Sequence, residues 1–456
     1  MSELPKGWVE TDFGNVIDSI TNGISDKQNK ESNGIPVSRI ETIADQTINY
    51  SKIGFVDNYD DEKAKKYLLN EGDILFSHIN SPIHLGKTAI FDGRKELFHG
   101  TNLLRIVVNK RVTLSSYFNY YCKFTRAIGA FSLNAQHAVN QSSLNQKKIK
   151  AFSIPLAPLA EQKRIVEKLD EVLAQVDTIK ARLDGIPALL KRFRQSVLAS
   201  AVSGKLIDVK APNLKTIGNV SEDIRYGTSK KCDYKGGSTP VIRIPNIGDR
   251  KLDTSDLKSA DFTEKELEKL ALKAGDLLVI RSNGSLELVA KPALVEPQYE
   301  GFLYAGYLIR IRCDREKIIP SFLLNVLSSR VVRDVVEMGA RSTSGVNNIN
   351  SKELSALEFV LPSLEEQKEI VRLVDQYFAF AETIEAQVKK AQARVDNLTQ
   401  SILAKAFRGE LVPQDPNDEP ADKLLERIAQ ARKEAEALAK AAKKAGATKK
   451  KAAKSA

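Results

Sequence analysis

PLAEQKRIVEKLDEV, residues 158–172, returns two hundred residues later as SLEEQKEIVRLVDQY, residues 363–377. From Glu161 to Leu206 and from Glu366 to Leu411 the chain aligns with itself without a gap at an offset of 205, with 18 of 46 positions identical. The two stretches close on matching phrases, QSVLASAVSGKL (195–206) and QSILAKAFRGEL (400–411). Upstream the relation is weaker but keeps its order. FGNVIDSITNGIS (13–25) stands against IGNVSEDIRYGTS (217–229), IPVSRI (35–40) against TPVIRI (239–244), EGDILF (71–76) against AGDLLV (274–279), and LNQKKIKAF (144–152) against INSKELSAL (349–357). Self-similarity at one long period marks a tandem duplication, here variable region, helix, variable region, helix, tail.

Both helical stretches carry a heptad. Ile165, Leu169, Val172, Val176, Ile179 and Leu183 follow spacings of 4, 3, 4, 3 and 4, and Ile370, Val374, Tyr377, Ala381, Ile384 and Val388 repeat them. So narrow a seam predicts a coiled coil rather than a helix buried on a broad face. Ser363 and Glu366 form an S-x-x-E capping box that starts the second helix, where the first copy has Pro158 instead. A helix of about 40 residues would be about 60 Å long. Gly185 and Pro187 predict a break or kink in the first copy. The variable regions alternate short β-rich runs (GDILFSHI, NLLRIVVN, GDLLVIRS, YLIRIRC) with loops of Gly, Asn, Ser and Pro, the mark of mixed α/β domains of about 150 residues. The expected fold is α+β: two such domains in tandem, separated by two helices that pair antiparallel, a dumbbell with pseudo-twofold symmetry. Its segments are 1–155, 156–206, 207–360, 361–412 and a tail, 413–456, helical and then lysine-rich and disordered.

Composition excludes several classes. Apolar residues make up 42% and charged residues 28% of the 456, no run of eighteen apolar residues offers a membrane span, and the start shows no secretory signal. Cys122, Cys232 and Cys313 are an odd number without CxxC spacing, which argues against disulfides or zinc and fits a reducing cytoplasm. The net charge of +11 falls to +4 without the seven lysines of residues 437–456. That tail reads as a solvated end or as an arm for a polyanion. HLGKTAI (84–90) has the GKT of a phosphate loop, but Ser81 stands where its first glycine belongs. Glu161-Gln162-Lys163 and Glu366-Gln367-Lys368 spell the E-x-K of nuclease metal sites, yet both fall in the first turn of a helix, where glutamate favours the helix dipole. All four histidines lie in the first half. No catalytic constellation and no metal site can be assembled.

Two diverged domains at a fixed distance suit a rod that presents two targets, and DNA half-sites lie roughly 34 Å apart per turn. The expected target is an asymmetric bipartite sequence with an unread gap. Three loops recur in both copies and are the expected readers, because amide, guanidinium and ammonium groups contact base edges and phosphates. The first holds Lys27 and Lys230; the second holds Asn80 against Arg281 and Asn283; the third holds Asn140 and Gln141 against Arg341, Asn347 and Asn348. Turn-making explains the same residue types equally well. A protein-only scaffold would not need two such domains, and an enzyme would need an active site.

At this point the chain resembles the specificity (S) subunit of type I restriction-modification enzymes, most closely the type IA branch. The resemblance rests on PLAEQKRIVEKLDEVLAQVDTIKARL (158–183), IPALLKRFRQSVLASAVSGKL (186–206), ARVDNLTQSILAKAFRGEL (393–411) and LPKGW (4–8), and it runs to about residue 435. It implies two target recognition domains, conserved helices that space them, and no active site in this chain. It also implies a bacterial, cytoplasmic complex on double-stranded DNA with two modification subunits that hold S-adenosylmethionine and two restriction subunits that use ATP and Mg. Lys163, Arg164, Glu167, Lys168, Lys191, Arg192 and Arg194 then become partner contacts or an ordinary solvated face.

Overall fold

The computed structural model describes residues 4–434 except 32, 58, 139–140, 211–212, 340–346 and 432. The chain forms two units, residues 1–181 with 392–456, and residues 182–391. Two helices of 44 residues, Leu159–Val202 and Leu364–Phe407, contribute to both. At 1.5 Å per residue each is about 66 Å long. Pro187 sits inside the first helix without ending it, so of the break or kink expected there the break does not occur. A proline in that position removes one backbone hydrogen bond. The helix beyond it remains held by burial of Leu190, Val197 and Leu198.

Within each unit the helices run antiparallel. In the first, Ile165, Leu169 and Val176 share a core with Ile402, Leu403, Ala406 and Phe407. In the second, Val197, Leu198, Ala201 and Val202 share a core with Ile370 and Val374. Lys180 reaches Asp396 at 2.7 Å in one unit and Arg194 reaches Glu385 at 2.7 Å in the other. Of the heptad positions, Ile165, Leu169, Val176, Ile370, Val374, Ala381 and Val388 are buried, and Val172, Leu183 and Ile384 are half-buried. Ile179 and Tyr377 are 46% and 40% exposed, so the seam is interrupted where a continuous one was expected. A straight helix drifts about 20° per heptad and rotates such positions outward. Tyr377 packs edge-on against Phe193 instead, ring centroids 6.0 Å apart.

The repeated phrase opens each helix with a buried glutamine. Gln162 Oε1 accepts from Thr113 Oγ1 at 3.1 Å and the Leu114 N–H at 3.0 Å, while Nε2 donates to the Val112 and Ala157 carbonyls. Gln367 Oε1 accepts from the Ile319 N–H at 2.8 Å, and its Nε2 donates to the Lys317 and Pro362 carbonyls. The glutamine therefore fastens each helix to its globular domain. The neighbouring glutamates differ. Glu366 caps its helix with Ser363, as the capping box requires. Glu161 is buried, accepts from the Trp8 indole at 3.0 Å, and has its carboxyl pushed up by that burial. Over it folds the segment after the second helix: Asp418 pairs with Arg164 at 2.7 Å and the Ala421 N–H donates to the Gly7 carbonyl. Residues 421–431 are helical; the lysines at 440–454 lie outside the described residues.

Each domain has its own sheet, with the same strand order in both. The first has the antiparallel order Ile17–Asn22, Leu104–Val108, Ile74–Phe76, Thr88–Ile90. The second repeats it as Ser221–Tyr226, Leu308–Cys313, Leu277–Ile280, Pro292–Leu294 and adds Arg250–Lys251, parallel, at the edge. The shared Gly-Asp phrase is framework. Gly72 and Gly275 turn at φ 90° and 89°. The aspartates behind them pair with arginines of the next strand, Asp73 with Arg105 at 2.6 Å and Asp276 with Arg312 at 2.7 Å.

Candidate nucleic-acid interface

Past each central strand the chain makes a small antiparallel ribbon, to which Gln136–Ala138 adds a third strand in the first copy. Ile79–Asn80 pairs antiparallel with Gln141–Ser143, placing Asn80 opposite Ser142. In the second copy Ser282–Asn283 pairs antiparallel with Asn347–Asn348, placing Asn283 opposite Asn347. The backbone behind is duplicated too: the Leu144 N–H donates to the His78 carbonyl and the Ile349 N–H to the Arg281 carbonyl, both at 2.9 Å. The second and third loops of the sequence reading thus meet in each domain.

What they present differs. In the first domain Asn80 lines a cleft of about 390 Å³ with Gln28, Arg39, Glu41, His84, Lys87 and Asn102, floored partly by Ile40, Ile43 and Ala44. Gln28 comes from the first loop, so that loop borders the ribbon as well. Asn80 itself donates to Ser77 Oγ at 3.3 Å and accepts from the Ser81 N–H at 2.8 Å. His78 is buried and its Nδ1 has no partner among the described residues; burial pushes its pKa down to about 4, so the imidazole is neutral at pH 7. Lys87, of the GKT triplet, enters the strand Thr88–Ile90 rather than a helix, which removes any phosphate-loop geometry.

In the second domain the Arg281 guanidinium lies over the Tyr226 ring, 4.7 Å from its centroid. The Tyr226 hydroxyl accepts from the Ser351 N–H at 2.8 Å. Tyr226 ends the strand before the first loop, so all three loops converge on it. Asn283 accepts from the Ser285 N–H at 2.9 Å, Asn347 donates to the Gly284 carbonyl at 3.3 Å, and Asn348 is exposed. Lys230 takes a different place: it donates to the Asp261 carbonyl and lies 5.0 Å from the Phe262 centroid. Lys27 is exposed in the first loop, and only the backbone of Gln141 is described. Asn140 and Arg341 lie outside the described residues.

Sequence reasoning passed over Gln28, Arg39, Lys87, Asn102 and Tyr226. Tyr226 had a signal, an aromatic where the other copy has Asn22. The cleft residues had none, because they come from four separated segments. Among the helix charges, Arg164 and Arg194 are taken by Asp418 and Glu385, and Lys168 by Glu171. Lys163, Glu167, Lys191 and Arg192 are exposed. Among the described residues no cluster of His, Cys, Asp and Glu could hold a metal, and no helix is long and apolar enough to cross a membrane.

Residues 5–188 and 209–392 each match the model of the type I restriction modification DNA specificity domain. The specificity subunit of the type I restriction enzyme EcoKI from Escherichia coli strain K12 is 34% identical over 452 residues, 93% of this chain and 96% of that one. The StySPI specificity subunit of Salmonella potsdam is 33% identical over 454 residues, with the same shares. Among solved structures, the HsdS subunit of Thermoanaerobacter tengcongensis superposes with a TM-score of 0.56 at 19% identity, covering 90% of this chain and 98% of that one. A chain from a study of complex assembly in a type I R-M system reaches 0.68, also at 19% identity, covering 90% and 100%.

Proposed function

The chain belongs to the family of type I restriction modification DNA specificity domains, and from that premise we propose that each globular domain reads one half of an asymmetric, bipartite DNA target through its ribbon and the loops beside it. The observation that carries this is the duplicated ribbon with unlike side chains: one framework, Asn80 opposite Ser142 in one copy and Asn283 opposite Asn347 in the other. Two equal scaffolds with different reading groups recognise two different sequences. The unread gap is set by the paired helices, whose exposed charges, Lys163, Glu167, Lys191 and Arg192, receive two modification subunits. Methyl transfer from S-adenosylmethionine belongs to those subunits. ATP- and Mg-dependent cleavage belongs to two restriction subunits, all of it in the bacterial cytoplasm. This chain's share is recognition.

A gel-shift of the complex with its modification subunits tests the reading. Binding that prefers one bipartite sequence over scrambled competitors is the expected result. Equal binding to every duplex would overturn it.

A further inference from the structure

Resting on that reading, we propose that Arg281 is a specificity-determining residue that reads a guanine in the half-site of the second domain, and that the first domain has no such contact at the matching position. Three observations bear on it. The guanidinium lies over Tyr226, whose own hydroxyl is fixed by the Ser351 backbone. Among the described residues no carboxylate, carbonyl or amide takes any of its donors, and Nε is buried without a partner. Arginines nearby each have an acceptor at a terminal nitrogen: Arg225 and Arg310 at Asp223, Arg312 at Asp276, Arg333 at the Glu287 carbonyl and Glu337, although the Arg310 Nε is also buried without a partner. The buried Nε–H left without an acceptor is unfavourable in the free protein, since buried donors are normally hydrogen-bonded, while the two terminal nitrogens stay open to solvent or to a ligand. The arrangement becomes favourable when a ligand supplies two acceptors in one plane.

Guanine supplies them. Its O6 and N7 accept a bidentate pair from an arginine fork in the major groove. A phosphate accepts the same pair, and arginine binds it well, so the two ligands are separated by the test rather than by the fork alone. Here the aromatic ring restrains the plane, and the neighbours on the ribbon are Asn283, Asn347 and Asn348, side chains of the kind that contact base edges. In the first domain the matching residue is His78, buried and without a fork, and Asn22 stands where Tyr226 stands. The same backbone site is therefore armed in one domain and blank in the other.

The test uses the full chain assembled with its modification subunits, with methylated adenines mapped across a genome by single-molecule sequencing. Exchange of residues 1–155 first identifies which half-site belongs to which domain. The second domain's half should contain a G·C pair. Arg281→Ala and Arg281→Lys should each lose discrimination at that one pair by roughly 5- to 150-fold, leaving every other position intact. A half-site without a G·C pair overturns the proposal, whether or not the variants assemble. A uniform loss of affinity with the motif unchanged overturns it in favour of a phosphate contact. If the unaltered complex methylates no defined motif, the reading of the chain as a specificity subunit fails first, and this inference with it.

Discussion

The side-chain amide of Gln162 offers two donors and two acceptor sites, and the fold uses all four. Truncating it strands the Leu114 N–H and the carbonyls of Val112 and Ala157 in a buried place, at about 1–3 kcal/mol for each group that finds no water. Gln162→Ala should therefore lower the stability of the first unit by roughly 3–5 kcal/mol, and Gln367→Ala should do the same to the second. Urea unfolding gives the size, and hydrogen exchange at residues 109–118 and 157–165 gives the place. A shift under about 1 kcal/mol would mean that the joint is not held by this side chain. His78 makes a second prediction at this scale. Burial holds its folded pKa near 4, while in the unfolded chain an imidazole titrates near about 6.5. Above that value neither state binds the proton and nothing is lost. Between about 6.5 and 4 only the unfolded chain binds it, so stability falls as pH falls. His99, likewise pushed down by burial, acts in the same sense. Thermal melts should show the first unit weakening from pH 7 to pH 5 while the second, which has no histidine, holds. His78→Gln should flatten that slope. A slope unchanged by the substitution would assign the acid sensitivity elsewhere.

The long helices combine what a sequence shows well with what it shows poorly. Repeats, the capping box and most of the seam were legible, because helix entry and periodic burial are local or periodic properties of the chain. The continuity through Pro187 was not legible. Proline's local penalty is visible in the sequence, but the burial of Leu190, Val197 and Leu198 that opposes it depends on packing. For the same reason the seam positions Ile179 and Tyr377 are less buried than the heptad predicts, Tyr377 keeping an edge contact with Phe193 of the facing helix. Since Pro187 is exposed and its cost lies in the backbone, Pro187→Ala should restore the missing hydrogen bond to the turn before it. The expected gain is about 1–3 kcal/mol in chemical unfolding, with helicity by circular dichroism unchanged or slightly higher. Destabilisation would show instead that the helix needs the bend a proline imposes. A change in length is more severe. Deleting four residues from 161–200 rotates everything beyond by more than one turn and should shorten the unread gap or prevent assembly with the modification subunits. Methylated motifs of unchanged spacing from an assembled complex would contradict the role of the helix as spacer.

At the scale of the whole molecule, duplication separates what must stay alike from what is free to differ. The elements that recur are those that hold the two frameworks: the Gly-Asp turn with its buried ion pair, the glutamine at each helix entry, the register of the ribbon. Each was visible as a repeated phrase, although only the folded chain shows what the phrase does. The proposed reading surface was visible only in outline, since it is assembled from segments as far apart as Gln28 and Asn102, or Tyr226 and Ser351. Spacing along the chain cannot report such a meeting. Each large hydrophobic cluster nevertheless draws on the described residues of one unit alone. Separate cores let one domain be replaced without unpacking the other. Substituting residues 1–155 with the corresponding domain of a relative should then change one half of the methylated motif and leave the other half and the gap as they were. The exchange must keep Gln162 with acceptors and donors at the positions of Val112, Thr113 and Leu114, and must keep Trp8 against Glu161, or the new domain will not seat on the helix. If both halves of the motif change in an exchange that meets those conditions, the two domains do not read independently.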